Sequence, residues 1–172
     1  MDIKYSEIGT EPITLSELKT YLKVDFDEDD TLLGDMITAA RELAEEFCGR
    51  SFVIKTIELT EIDYDEKYTL PFPDHDEVSE IKINDVDYSD STFIIGNVEK
   101  TLQLPFTVET ISEDNAGLYV KYTTKGTCPK AVKIAMMKTI AEAYDNRGNA
   151  NEENLTELTE NSYAMLWRYV RT

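Results

Sequence analysis

The chain has 172 residues, 41% of them hydrophobic and 30% charged, a composition that excludes a disordered acidic chain and allows a core without metals or disulfides. Its 35 acidic and 17 basic side chains leave a formal net charge of -18, which argues against a surface that grips nucleic acid, because phosphate contacts need clustered Lys and Arg. No run approaches the roughly 20 apolar residues that span a bilayer, MDIKYSEIGT lacks the apolar stretch of a signal peptide, and Cys48 and Cys128, with no CxxC pair, read as free thiols in a reducing cytoplasm.

Residues 1–12 read as a flexible or docking arm. In TLSELKTYL, Thr14 caps a short helix and Glu17 completes a capping box, with Leu15, Leu18 and Leu22 on one face and an end near Lys23. Asp25 to Asp30 then holds five carboxylates in six residues, well placed for the positive end of the helix that follows. Leu32, Leu33, Met36, Ile37, Ala40, Leu43, Ala44 and Phe47 recur at helical spacing, and Gly49 is a C-cap, which predicts a helix of about 18 to 20 residues.

The period changes between Ser51 and about Lys125. SFVIKTIELTEI, EIKINDVDYSD, TFIIGN, KTLQLPFT and GLYVKYTTK are strand candidates, while Pro71, Pro73 and Pro105 favour edges or turns. The helical period returns in PKAVKIAMMKTIAEAYDNRGN, with Pro129 at its start, an apolar stripe of Val132, Ala135, Met136, Ile140 and Ala143 or Tyr144, and Gly148 as a stop. NANEENLTE reads as a loop and Leu158 to Trp167 as a last short helix.

The predicted fold is α+β. A helical core, 13–50 and 127–172, contains two long antiparallel helices and short N- and C-terminal helices, and an acidic β-rich insertion occupies 51–126. The apolar stripes of the two long helices are expected to pair, which brings both ends of the insertion together.

Catalytic and metal motifs are weak. Asp25, Asp27 and Asp29 resemble the first ligands of a calcium loop, but Asp30 and Met36 stand where an EF-hand needs Gly and Glu. The single histidine, His75 in FPDHDEV, reads as an exposed loop residue and cannot build a His-rich zinc site. No G-x-S-x-G elbow or glycine-rich phosphate loop occurs, and Cys48 and Cys128 have no evident base partner. No cofactor is expected. Tyr119 and Tyr122 are candidates for packing on the β subdomain rather than for stacking bases. Tyr163, Trp167 and Tyr169, mixed with Arg168 and Arg171, have the composition of an interface anchor, with terminal packing as the alternative.

Three stretches together carry a resemblance. Ile13 to Arg50 joins a short helix, an acidic turn and a long helix ending in Phe47, Cys48, Gly49 and Arg50; Cys128 to Asn149 is a proline-led helix ending in Ala143, Tyr144, Asn146 and Arg147; Leu166 to Arg171 reads LWRYVR. In this order they resemble the head-tail connector (adaptor) proteins of tailed bacteriophages and prophages. The resemblance implies a structural virion protein of the neck, assembled in the host cytoplasm, that is not an enzyme. It implies a homo-oligomeric ring of twelve copies beneath the portal protein, meeting a tail-completion or stopper protein on its other side. DNA would pass through the channel without specific binding.

Carried onto this chain, portal docking falls to Leu166, Trp167, Tyr169 and Arg171. Asp63, Asp65, Glu66, Asp74, Asp76 and Glu77 are candidate channel or surface acids that limit DNA sticking. Two other readings stay open: another neck or tail-completion protein, and an acidic DNA-mimic inhibitor.

Overall fold

The computed structural model describes residues 2–7, 9–61, 67–72, 75–84, 86–87, 94–95, 101–103, 117–146 and 160–170. The chain divides into two compact units. One is helical, Thr10–Val53 with Thr127–Thr172; the other carries the strands, Met1–Gly9 with Ile54–Gly126.

The helical unit begins with α1, Leu15–Leu22. The Glu17 N–H donates to Thr14 Oγ1 at 3.2 Å and the Thr14 N–H donates to Glu17 Oε2 at 2.9 Å, so two otherwise orphan donors are satisfied reciprocally. Lys23 ends the helix in the left-handed region, with φ 58°. The long helix α2, Asp30–Cys48, stops at Gly49, whose φ of 62° favours glycine. Asp29 precedes α2 without capping it, because its carboxylate accepts the Tyr144 hydroxyl at 2.5 Å.

The second long helix, α3, is Lys130–Asp145, with Pro129 directly before it. The two helices pack antiparallel. Leu33, Met36, Ile37, Ala40 and Ala44 of α2 and Val132, Ala135, Met136 and Ile140 of α3 form one buried cluster, joined by Leu18. Each large side chain removed from water here contributes roughly 1.5–3 kcal/mol. The unit closes with α4, Glu160–Leu166, and a 3₁₀ turn, Trp167–Tyr169. No described helix is long and apolar enough to cross a membrane.

The β unit contains β1 Asp2–Glu7, β2 Lys55–Glu61, β3 Lys67–Thr69, β4 His75–Ile83, β5 Val86–Asp87, β6 Ile94–Ile95, β7 Thr101–Gln103 and β8 Leu118–Thr124. They form an antiparallel five-stranded sheet, β1-β2-β8-β4-β5, and an antiparallel three-stranded sheet, β3-β7-β6. Burial alternates strictly along β8, as a half-buried strand requires. Leu118, Val120 and Tyr122 point inward beside Ile57, Ile81 and Ile83, and Leu70 packs on them. The Tyr122 hydroxyl donates to the Pro71 carbonyl, which satisfies the polar end of a buried ring. The other face is polar: Lys4, Glu58, Lys121 and Glu80 lie in one row across four strands, with Lys121 Nζ 2.9 Å from Glu58.

Two expectations change. The stretch read as an N-terminal arm, 1–12, supplies the edge strand β1, because Ile3 packs against the sheet core and each residue from Asp2 to Glu7 pairs with β2. His75, read as a loop residue, begins β4 opposite Thr124. Backbone pairing with β8 outweighs the low strand propensity of DHDE.

Candidate interaction surface

The C-terminal segment is built on α3. Ser162 of α4 is buried and its hydroxyl meets Thr139 Oγ1 at 2.9 Å; both hydroxyls reach the Ala135 carbonyl, at 2.9 Å and 3.1 Å. Leu166 lies fully inside the core, and its carbonyl faces the Cys48 thiol at 3.9 Å. Two internal ties therefore hold α4 and present the next turn outward.

What they present is aromatic. Phe47, near the end of α2, meets Tyr163 edge-on with ring centroids 5.0 Å apart, and Trp167 at 6.3 Å. Trp167 is 72% exposed. Tyr169 is half-buried and packs on the core cluster, and Arg168 is exposed. Tryptophan with most of its area in water, rigidly backed and flanked by arginine, is the type of group that anchors protein interfaces.

Of the docking candidates, Trp167 is on the surface, Tyr169 is partly so, Leu166 anchors the segment from inside, and Arg171 lies outside the described residues. Asp63, Asp65, Glu66 and Asp74 also lie outside them. Asp76 and Glu77 fall on β4 where its register with β8 is irregular, and their side chains are outside the described residues. Phe47 is the residue that sequence reasoning did not connect to the aromatic group; its place one helical turn from Leu43, beside the helix end, was the available signal.

The remaining chemical candidates are occupied or inert. The Lys19 ammonium takes Asp27 at 2.6 Å and Asp30 at 2.7 Å, and it holds the Asp27 carboxyl below its ordinary range. Asp29 is engaged by Tyr144, so the calcium-like run serves the fold. Among the described residues no group of three or more His, Cys, Asp or Glu could hold a metal. Burial pushes the Cys48 and Cys128 thiols up to about 11, the reverse of an activated nucleophile. Tyr119 and Tyr122 point to opposite faces of β8, so they form no common stacking platform.

The sequence pattern of the phage gp6-like head-tail connector protein matches residues 12–112, from before α1 into the β unit. The chain belongs to that family. The family is one of structural connectors, so this connector is not an enzyme. No curated protein matches it in sequence.

Its fold is found in a chain of the virion of a native gene transfer agent particle, with a TM-score of 0.70 and 12% identity over 98% of this chain and 95% of that one. A chain in the neck of an empty particle, computed with C6 symmetry, gives 0.67 and 14% over 98% and 96%. One in the neck of a native particle, computed with C12 symmetry, gives 0.60 and 10% over 98% and 96%. At these identities the likeness is one of fold. It extends over α3 and α4, which the family match does not reach.

Proposed function

We propose that the connector forms a ring of twelve copies in the neck, beneath the portal protein, that joins head to tail and lengthens the DNA channel. The observation that carries this reading is the fold shared along nearly the whole chain with a chain from a particle neck computed with C12 symmetry, in a protein of the connector family. The portal is the partner on one side and a tail-completion or stopper protein the partner on the other. Trp167 and Tyr169, with Arg171, dock on the portal, and Leu166 holds them in place. Asp63, Asp65, Glu66, Asp74, Asp76 and Glu77 keep DNA from sticking, since carboxylates along a channel repel phosphates and a ring multiplies the charge of each copy.

The test is electron microscopy of the purified connector mixed with the portal oligomer of the same genome, with each alone as control. A ring of density added below the portal is the expected result. Its loss on deleting residues 158–172 supports C-terminal docking. Rings that survive the deletion keep the connector reading and remove that docking assignment. No complex at physiological salt favours another neck component or a DNA mimic.

A further inference from the structure

A chain of net charge -18 that assembles with copies of itself must bring opposite charges together locally, because the copies repel at a distance. The helical unit holds two outward stripes of opposite sign. On α2, Asp35, Glu42 and Glu46 are exposed at i, i+7 and i+11, the face opposite the buried stripe of Leu33, Ile37, Ala40 and Ala44. On α3, Lys130 and Lys138 are exposed on the face opposite Val132, Ala135, Met136 and Ile140, while Lys133 is half-exposed on the flank that meets α1, near Glu17.

Each stripe also carries apolar area: Leu32 on α2 and Ile134 on α3 are among the exposed large hydrophobic side chains. Beside Lys133, a groove of about 410 Å³ between α1 and α3 is lined by Ile13, Tyr21 and Met137. Because α2 and α3 face each other through their buried stripes, the outward stripes point away from one another. A closed ring needs just that: two different, complementary patches on separate sides of each copy.

We infer that the acidic outward stripe of α2 in one copy docks on the lysine-bearing outward stripe of α3 in the next copy. The dimensions agree. Asp35 to Glu46 spans about 16 Å of helix and Lys130 to Lys138 about 12 Å, a difference that flexible lysine side chains cover. Neighbours in a ring differ by a small rotation, so α3 of the next copy runs antiparallel to α2, as it does within one copy. That places Asp35 opposite Lys138, Glu46 opposite Lys130, and Leu32 beyond Asp35, toward Ala141.

The inference rests on the ring reading and adds which surfaces meet. Its test uses the full-length connector assembled with its portal oligomer. In the variant with Asp35→Cys and Lys138→Cys, mild oxidation should yield a ladder of linked copies ending in a closed ring, whereas each single variant should yield at most dimers. The link cannot form within one copy, because the two outward faces lie on either side of helices about 8–10 Å apart and a disulfide needs Cβ atoms about 4 Å apart. The paired change Lys130→Glu with Lys138→Glu should lower ring formation about tenfold or more. Adding Asp35→Lys and Glu46→Lys to it should restore rings, with circular dichroism unchanged throughout. Rings visible by microscopy that give no ladder, or that form normally with both lysines reversed, would overturn the docking while leaving the ring. Failure of the wild-type chain to form rings would overturn both.

Discussion

The Arg41 guanidinium donates to Glu45 at 2.8 Å one turn along α2, and both side chains are buried, at 0% and 3% exposure. Arg41 Nε also reaches Glu11 at 3.0 Å and 3.1 Å, and Glu45 accepts the Phe52 N–H at 2.6 Å. The pair thus ties the segment before α1 and the segment leaving α2 to the long helix. A buried ion pair of this kind is costly to break: without Glu45 one arm of the dry Arg41 guanidinium loses its carboxylate, although Glu11 stays, and the buried Phe52 N–H loses its acceptor.

Glu45→Ala should therefore destabilise the helical unit by about 3–5 kcal/mol. Urea denaturation followed by circular dichroism checks this. A loss near zero would mean that water or another group replaces the carboxylate.

Leu166 and Trp167 are adjacent in sequence and opposite in role. Leu166→Ala opens a hole in the core and should cost about 2–5 kcal/mol. Trp167→Ala removes a mostly exposed ring and should cost under about 1 kcal/mol, yet weaken capture by the portal. Thermal unfolding and portal pull-down on the same two variants separate the effects.

The capping box predicts a pH dependence of known sign. Hydrogen bonds from the Thr14 backbone, and next from its side chain, hold the Glu17 carboxyl below its ordinary value of 4.5. This stabilisation is present above the unfolded value and is lost as pH falls through the folded one. Glu17→Gln should flatten the acid limb of a stability-versus-pH curve between about pH 5 and 3. Thr14→Ala should cost about 1 kcal/mol at pH 7.

Both thiols should resist alkylation. With values moved from an ordinary 9.0 to about 11, the thiolate at pH 8 is about a hundredfold scarcer. Mass spectrometry should find Cys48 and Cys128 slow to react in the folded chain and fast in urea, with Cys48, the more buried, slower than Cys128.

Much of the helical unit was legible because its signals are local. The Thr14–Glu17 box, the α2 stripe, Gly49 and the α3 stripe each lie within one or two turns. Arg41 was less so: it lies on the buried face four residues before Glu45, and its other carboxylate partner, Glu11, is 30 residues away. In the β unit, β8 shows its alternation plainly. Strand β1 does not, since Ile3 alone joins the core cluster, Tyr5 is exposed, and its partner β2 lies some fifty residues away. Strand β3 is three residues long and carries no period. For the proposed docking surface, composition marked the C-terminal aromatics, but the inward face of α4 is set by Ser162 bonding to Thr139 and Ala135, which no local pattern announces.

Whether this chain joins head to tail can be read by deleting its gene in the genome that encodes it and imaging the particles produced. Separate heads and free tails are the expected result, with joined particles restored when purified connector is added back. Intact, joined particles in the absence of the chain would contradict it.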